Sequence, residues 1–162
     1  MRKINTAILG CGHIAGLKQP GDKSFLNHAK ELKLNKNYNL VACIDNVSKK
    51  RKSFAKTYRI PFSFNSIEDL FKTNLKIDLI VVCTNAKFHF LNLKEILRFN
   101  VANILCEKPL CEKRKDLNLL NNLLIKKKTQ LFTNFNRKED KTIKNLKNII
   151  KKKRMGKIQL IR

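Results

Sequence analysis

Ile4-Asn5-Thr6-Ala7-Ile8-Leu9-Gly10-Cys11-Gly12-His13-Ile14-Ala15 is the stretch on which the fold turns. A short apolar run halted by two glycines suits a buried parallel strand that runs into a tight turn. At Gly10 and Gly12 the missing β-carbon lets the backbone bend sharply and come close to a bound pyrophosphate. A helix opening there would aim its free amides at phosphate oxygens, and the helix dipole would add to the attraction. Ala15 takes the third small position, where helix packs closely on strand. Gly10, Gly12, His13, Ile14 and Ala15 are therefore the first candidate cofactor contacts. A glycine motif alone is a weak signal, but this one directly follows a strand and heads an alternating pattern.

Outward from that turn, apolar runs and helical segments take turns along the chain. Pro20-Gly21-Asp22 interrupts the helical pattern after Leu17, so a loop is expected there before Phe25 to Leu34 resumes it. Leu40 to Ile44 reads as a second strand, with Ser48 capping a helix through Tyr58. Phe62 to Phe64 is a third strand, and Ser66 starts a small helix with Glu68 and Asp69 in its first turn. Ile77 to Thr84 is the most apolar run and belongs at the sheet centre. A helix over 88–99, a strand over 102–106, a helix over 114–127, a strand over 131–133 and a helix over 142–153 complete the series. Strands separated by helices imply a parallel sheet covered on both faces. The fold class expected is α/β, a doubly wound parallel sheet of the Rossmann nucleotide-binding kind.

Asp45 closes the second strand. A carboxylate there can accept hydrogen bonds from adenosine ribose hydroxyls and would repel a 2′-phosphate, which favours NAD over NADP. The separation from the glycines exceeds the roughly 20 residues of a compact fingerprint, and the Pro20-Gly21 insertion accounts for the excess. Lys49, Lys50 and Arg51 stand close by and could take a phosphate, so NADP stays open as the alternative cofactor. On its own, Asp45 is also readable as a turn residue.

The 162 residues match the size of one domain, and 43% of them are apolar. No run approaches the roughly 18 apolar residues of a membrane span, and the N-terminus lacks the pattern of a secretory signal. A cytoplasmic protein is the expectation. Cysteines at 11, 43, 83, 106 and 111 show no C-x-x-C spacing, so they read as reduced thiols and not as a zinc site or disulfide framework. The formal net charge of +24 would attract polyanions. The lysines are nevertheless scattered over helix faces without a nucleic-acid-binding signature, so nucleic acid is not the expected partner.

Three motifs together resemble the Gfo/Idh/MocA oxidoreductases, the family of glucose-fructose oxidoreductase and the inositol dehydrogenases. They are the Gly10-Cys11-Gly12-His13-Ile14-Ala15 turn, the segment from Val82 to His89, and Cys106-Glu107-Lys108-Pro109. Asn134 to Asp140 and Met155-Gly156-Lys157-Ile158 also look like the family. Members commonly carry Thr-Pro where this chain has Thr84-Asn85, which removes a constraint on φ.

The resemblance places Thr84 and Asn85 beside the cofactor and His89 near the nicotinamide side of the cleft. Without it, a lone histidine such as His89 is more often a satisfied structural residue, and that reading stays open beside the one the resemblance implies. Glu107 should approach the nicotinamide ribose, and Lys108 should face a substrate hydroxyl or carbonyl, where an ammonium group can stabilise a developing alkoxide. Spacing alone would also allow Glu107 and Lys108 to be a surface charge pair. The Lys108-Pro109 bond is a candidate cis peptide.

The family adds a second domain that forms the substrate site and supplies an Asp and a His for proton transfer. No residue of this chain matches that pair. The expected division is a nucleotide-binding domain over 1–155 and, over 156–162, the start of the second domain, which is otherwise absent. The implied function is the N-terminal part of an oxidoreductase that transfers hydride between NAD(P) and a sugar, cyclitol or nucleotide sugar, with a homo-oligomer as the form the family allows. The alternatives are a dinucleotide- or polyanion-binding module without redox chemistry and an inactive remnant.

Overall fold

The computed structural model describes residues 2–17, 27–135, 140–152 and 156. Its elements in chain order are β1 (Ile4–Leu9), α1 (His28–Leu34), β2 (Tyr38–Ile44), α2 (Ser48–Tyr58), β3 (Phe62–Phe64), α3 (Ile67–Phe71), β4 (Leu79–Val82), α4 (His89–Ile96), β5 (Asn103–Cys106), α5 (Arg114–Lys127), β6 (Gln130–Thr133) and α6 (Lys141–Lys151). The Pro20-Gly21 insertion, Phe25, most of the family-like segment after Phe135 and residues 157–162 of the expected second-domain start lie outside the described residues.

The strands form one parallel six-stranded sheet in the order β3-β2-β1-β4-β5-β6. Sequence order reverses between β1 and β4, the pair at the centre, and this is the doubly wound arrangement expected from the alternation. Ile80, Val81 and Val82 of β4 are all fully buried, because a central parallel strand is covered on both faces.

Two apolar layers sandwich the sheet. On one face Ile8, Cys43 and Val81 pack with Ala29 and Leu32 of α1 and Phe54 of α2. On the other, Ala7, Leu9, Ile44, Ile80 and Ile104 pack with Leu70 of α3, Leu93 and Ile96 of α4 and Leu120 of α5. The β1–β2 register slips between Thr6 and Ala7, where Leu40 is followed by Ala42 as the next partner. This extra residue breaks the in-out alternation, so Val41 and Ala42 both join the second layer.

The helix expected directly after the glycines is not there. Gly12 carbonyl accepts from the amides of Gly16 at 3.1 Å and Leu17 at 3.0 Å, which closes one helical turn only. Gly16 then takes φ +133°, a conformation that cannot propagate a right-handed helix. Among the described residues the first α-helix starts at His28, capped by the Asn27 side chain, which accepts from the amide of Lys30 at 2.9 Å.

The Ser48 cap also needs correction. Ser48 is the first helical residue, Val47 is the cap, and no side chain bonds there. Ser66 does cap α3, accepting from the Asp69 amide at 3.0 Å. The helix expected over 88–99 divides into a 3-10 turn, Ala86–Phe88, and α4. The Lys108-Pro109 peptide is cis.

Candidate functional site

The carboxyl ends of β1, β2 and β4 converge where the strand order reverses, the place where open α/β sheets bind ligands. A cavity of about 320 Å³ lies there, with Gly10, Asp45, Asn46, Thr84 and Asn92 in its wall.

Gly10 has φ +90°, and an added Cβ would stand 2.8 Å from the Thr84 amide nitrogen and 2.9 Å from the Cys83 carbonyl carbon. Glycine is required by the protein's own packing at that position. At Gly12 an added Cβ would meet nothing within 4 Å. This backbone borders open space that a side chain would fill, which is the shape a close-approaching phosphate needs. His13 and Ile14 form the middle of the same turn, and Ala15 is fully buried behind it.

Asp45 reaches the turn directly. Its Oδ2 accepts from the Cys11 amide at 2.8 Å and its Oδ1 from the Val47 amide at 2.8 Å. Arg51 donates to the Asp45 main-chain carbonyl at 2.6 Å, which brings its guanidinium to the end of β2. Below the turn the buried thiols of Cys11 and Cys43 interact; that contact pushes Cys11 up and Cys43 down from the ordinary thiol range.

Asn85 has φ −66°, the value a proline would impose, so the backbone path survives the missing proline. Its side chain accepts from the Lys87 amide at 3.3 Å and starts the 3-10 turn. Thr84 Oγ1 accepts from Asn92 Nδ2 at 2.7 Å. His89 is only 1% exposed, with Nδ1 2.7 Å from the Pro109 carbonyl oxygen and Nε2 2.9 Å from the Thr84 carbonyl oxygen. The ring ties the loop after β4 to the loop after β5, which fits the structural reading of this histidine.

Glu107 follows β5 and lies in a polar cluster. Its Oε1 is 2.7 Å from His28 Nε2 and accepts from Asn134 Nδ2 at 2.6 Å. The hydrogen bond from His28 is the main reason its carboxyl is held down at about 2, with burial opposing and Asn134 adding to the effect. Lys108 is exposed and borders a second cavity of about 750 Å³, walled also by Leu110, Leu117, Thr133 and Phe135. The structure thus brings Gly10, Asp45 and Thr84 together at one cavity and sets Lys108 at another.

Gly16, His28 and Tyr58 were not singled out from sequence, and Asn134 was marked only as the start of a family-like segment, not as a partner of Glu107. Tyr58 donates its hydroxyl to the Gly16 carbonyl at 2.6 Å. The glycine itself was the available signal for Gly16; the other three act through contacts between distant segments.

Residues 4–135 match the model of an oxidoreductase family with an NAD-binding Rossmann fold. The chain belongs to the Gfo/Idh/MocA family. Every candidate residue from Gly10 to Lys108 lies inside the matched NAD-binding domain, and NAD is the cofactor of that domain. No curated protein sequence matches the chain.

Solved structures share the fold. Myo-inositol 2-dehydrogenase from Lactobacillus plantarum superposes with a TM-score of 0.80 at 20% identity, over 97% of this chain and 43% of that one. The WlbA dehydrogenase from Bordetella pertussis, solved with NADH and UDP-GlcNAcA, gives 0.81 at 20% identity, over 97% and 44%. Scyllo-inositol dehydrogenase from Lactobacillus casei, with bound NAD(H) and scyllo-inositol, gives 0.80 at 16% identity, over 97% and 43%. This Gfo/Idh/MocA chain therefore spans less than half the length of these relatives. Among its described residues no helix is long and apolar enough to cross a membrane, and no group of three or more His, Cys, Asp or Glu could hold a metal.

Proposed function

We propose that the chain is the cofactor-binding part of an NAD-dependent dehydrogenase acting on a sugar, cyclitol or nucleotide sugar. The observation that carries the reading is the open cradle at Gly12 beside an Asp45 already bonded to the Cys11 amide. The Gly10 and Cys11 amides are held by the Ile44 carbonyl and by Asp45, so backbone amides from Gly12 onward would receive the diphosphate, and Asp45 would accept from the adenosine ribose hydroxyls. Its negative charge favours NAD, while the nearby Arg51 leaves NADP as the weaker alternative.

When bound, NAD supplies the hydride acceptor or donor. The chain's own contribution at that end is Lys108, whose exposed ammonium would donate a hydrogen bond to the substrate oxygen. Glu107 would hold the ribose on the nicotinamide side, and Thr84 and Asn85 would line the path between the two ends. Substrate selection and the remaining proton-transfer groups fall to a second domain. The apolar wall beside Lys108, where Leu117 is 45% and Phe135 59% exposed, is the surface such a domain would cover.

Thermal unfolding with and without NAD tests the cofactor assignment. A ligand at about 100 times its Kd should stabilise the fold by about 2.7 kcal/mol, and an unmoved transition at saturating NAD overturns the reading. Turnover of inositols and of UDP-linked sugars, followed by NADH absorbance, then tests the substrate class. Activity on neither class by a protein that carries the second domain removes it.

A further inference from the structure

His28 stands at a junction between the two ends of the cleft. It is the first residue of α1, and its neighbour Ala29 donates its backbone amide to the Ala15 carbonyl at 3.0 Å, at the close of the glycine turn. From the same helical turn, the His28 ring reaches Glu107 Oε1 at 2.7 Å, 79 positions along the chain. Asn134, just past β6, donates to that oxygen at 2.6 Å. The His28 and Glu107 side chains are each only 16% exposed, so the contact is largely withdrawn from solvent.

The entry to α1 is itself held in place. Asn27 Oδ1 accepts from the Lys30 amide at 2.9 Å, and the Tyr58 hydroxyl, 3.3 Å from that oxygen, donates to the Gly16 carbonyl. The histidine is therefore presented from a fixed backbone. A glutamate beyond a strand end has three rotatable bonds, and two donors converging on one of its oxygens remove most of that freedom.

We infer that His28 is a positioning residue: its ring orients the Glu107 carboxylate for the nicotinamide-side ribose and couples that carboxylate to the diphosphate turn through α1. The inference rests on the NAD reading above. In that reading the side chain matters to the nicotinamide half of the ligand, whereas the Ala29–Ala15 contact to the turn is made by backbone and survives substitution of His28.

The test is calorimetric titration of the 162-residue chain with NADH and, separately, with ADP, which lacks the nicotinamide half. His28→Leu should weaken NADH by about tenfold, the value of one charge-assisted hydrogen bond, and change ADP by less than about twofold. His28→Gln, whose amide can reach Oε1, should recover most of the NADH affinity; His28→Asn, one methylene shorter, should not. Thermal unfolding without ligand monitors the fold, and should His28→Leu fail to fold, the Gln and Asn variants carry the comparison. Equal losses for NADH and ADP would make His28 merely structural and overturn the inference, as would no loss for either. If the unsubstituted protein binds neither ligand, the NAD reading itself falls and this inference with it.

Discussion

Asp45 Oδ2 accepts a hydrogen bond from the backbone amide of Cys11 at 2.8 Å. The bond joins the end of β2 to the second residue of the glycine turn, across 34 positions of sequence, while the other carboxylate oxygen holds the Val47 amide. Two backbone amides thus fix where the negative charge stands, and each oxygen keeps a lone pair for a further donor. A ribose with two free hydroxyls can use that capacity, whereas a 2′-phosphate meets a like charge.

Replacing Asp45 by Asn removes the charge at nearly constant size. NADH affinity should fall by about tenfold while NADPH affinity holds or rises, so the preference between them narrows by about one to two orders of magnitude. Fluorescence titration with both reduced cofactors reads the ratio. An unchanged ratio would show that Asp45 is a turn residue and no more.

The two glycines should part company on substitution. Gly10→Ala places a Cβ 2.8 Å from the Thr84 amide nitrogen at φ +90°, so the unliganded protein should lose about 1–3 kcal/mol of stability or more. Gly12→Ala meets nothing within 4 Å; it should unfold within about 0.5 kcal/mol of the unsubstituted protein yet bind NADH poorly. Denaturant melts and NADH titrations of both variants decide the matter. Undiminished binding by a folded Gly12→Ala protein would deny the turn its role.

Much of this architecture is legible locally. The strands and α5 announce themselves because burial imposes apolar runs on β1 and β4, and the parallel, helix-covered sheet follows from their alternation with helices. The glycine turn and Asp45 were equally readable, since each sits at a strand end. The short turn that replaces the expected first helix was less so, because it depends on Gly16 adopting φ +133° beneath Tyr58 and Asn27. Asn85 shows a different limit: sequence registers the lost proline, but the backbone keeps φ −66°. His28, Glu107 and Asn134 follow three different strands, β1, β5 and β6, and nothing within any one segment marks them as partners.

Acid should weaken the fold through Glu107. Its carboxyl sits at about 2 in the folded protein against an ordinary 4.5, chiefly because of the His28 hydrogen bond. Folding therefore favours the ionised form; this contribution is whole above the ordinary value and drains away as pH falls towards 2. Glu107→Gln should flatten that part of the stability profile between pH 4.5 and 2, as followed by denaturant melts at successive pH values. A profile identical to that of the unsubstituted protein would remove Glu107 from the account.

Thiol labelling should follow burial. Cys11, Cys43, Cys83 and Cys106 are buried, and Cys106 is pushed up to about 12 by burial and by Glu107, whereas Cys111 is partly exposed. Alkylation of the native protein near neutral pH, read by mass spectrometry, should modify Cys111 first, and urea should expose the rest. Prompt labelling of Cys83 or Cys106 in the native protein would contradict the packing around β4 and β5.

Isothermal titration of the folded chain with NADH bears most directly on the central claim, that the Gly10–Ala15 turn and Asp45 together hold a nicotinamide dinucleotide. One saturable site per chain, lost in Gly12→Ala, is the predicted result. No heat with NAD, NADH, NADP or NADPH from a protein shown to be folded would contradict it.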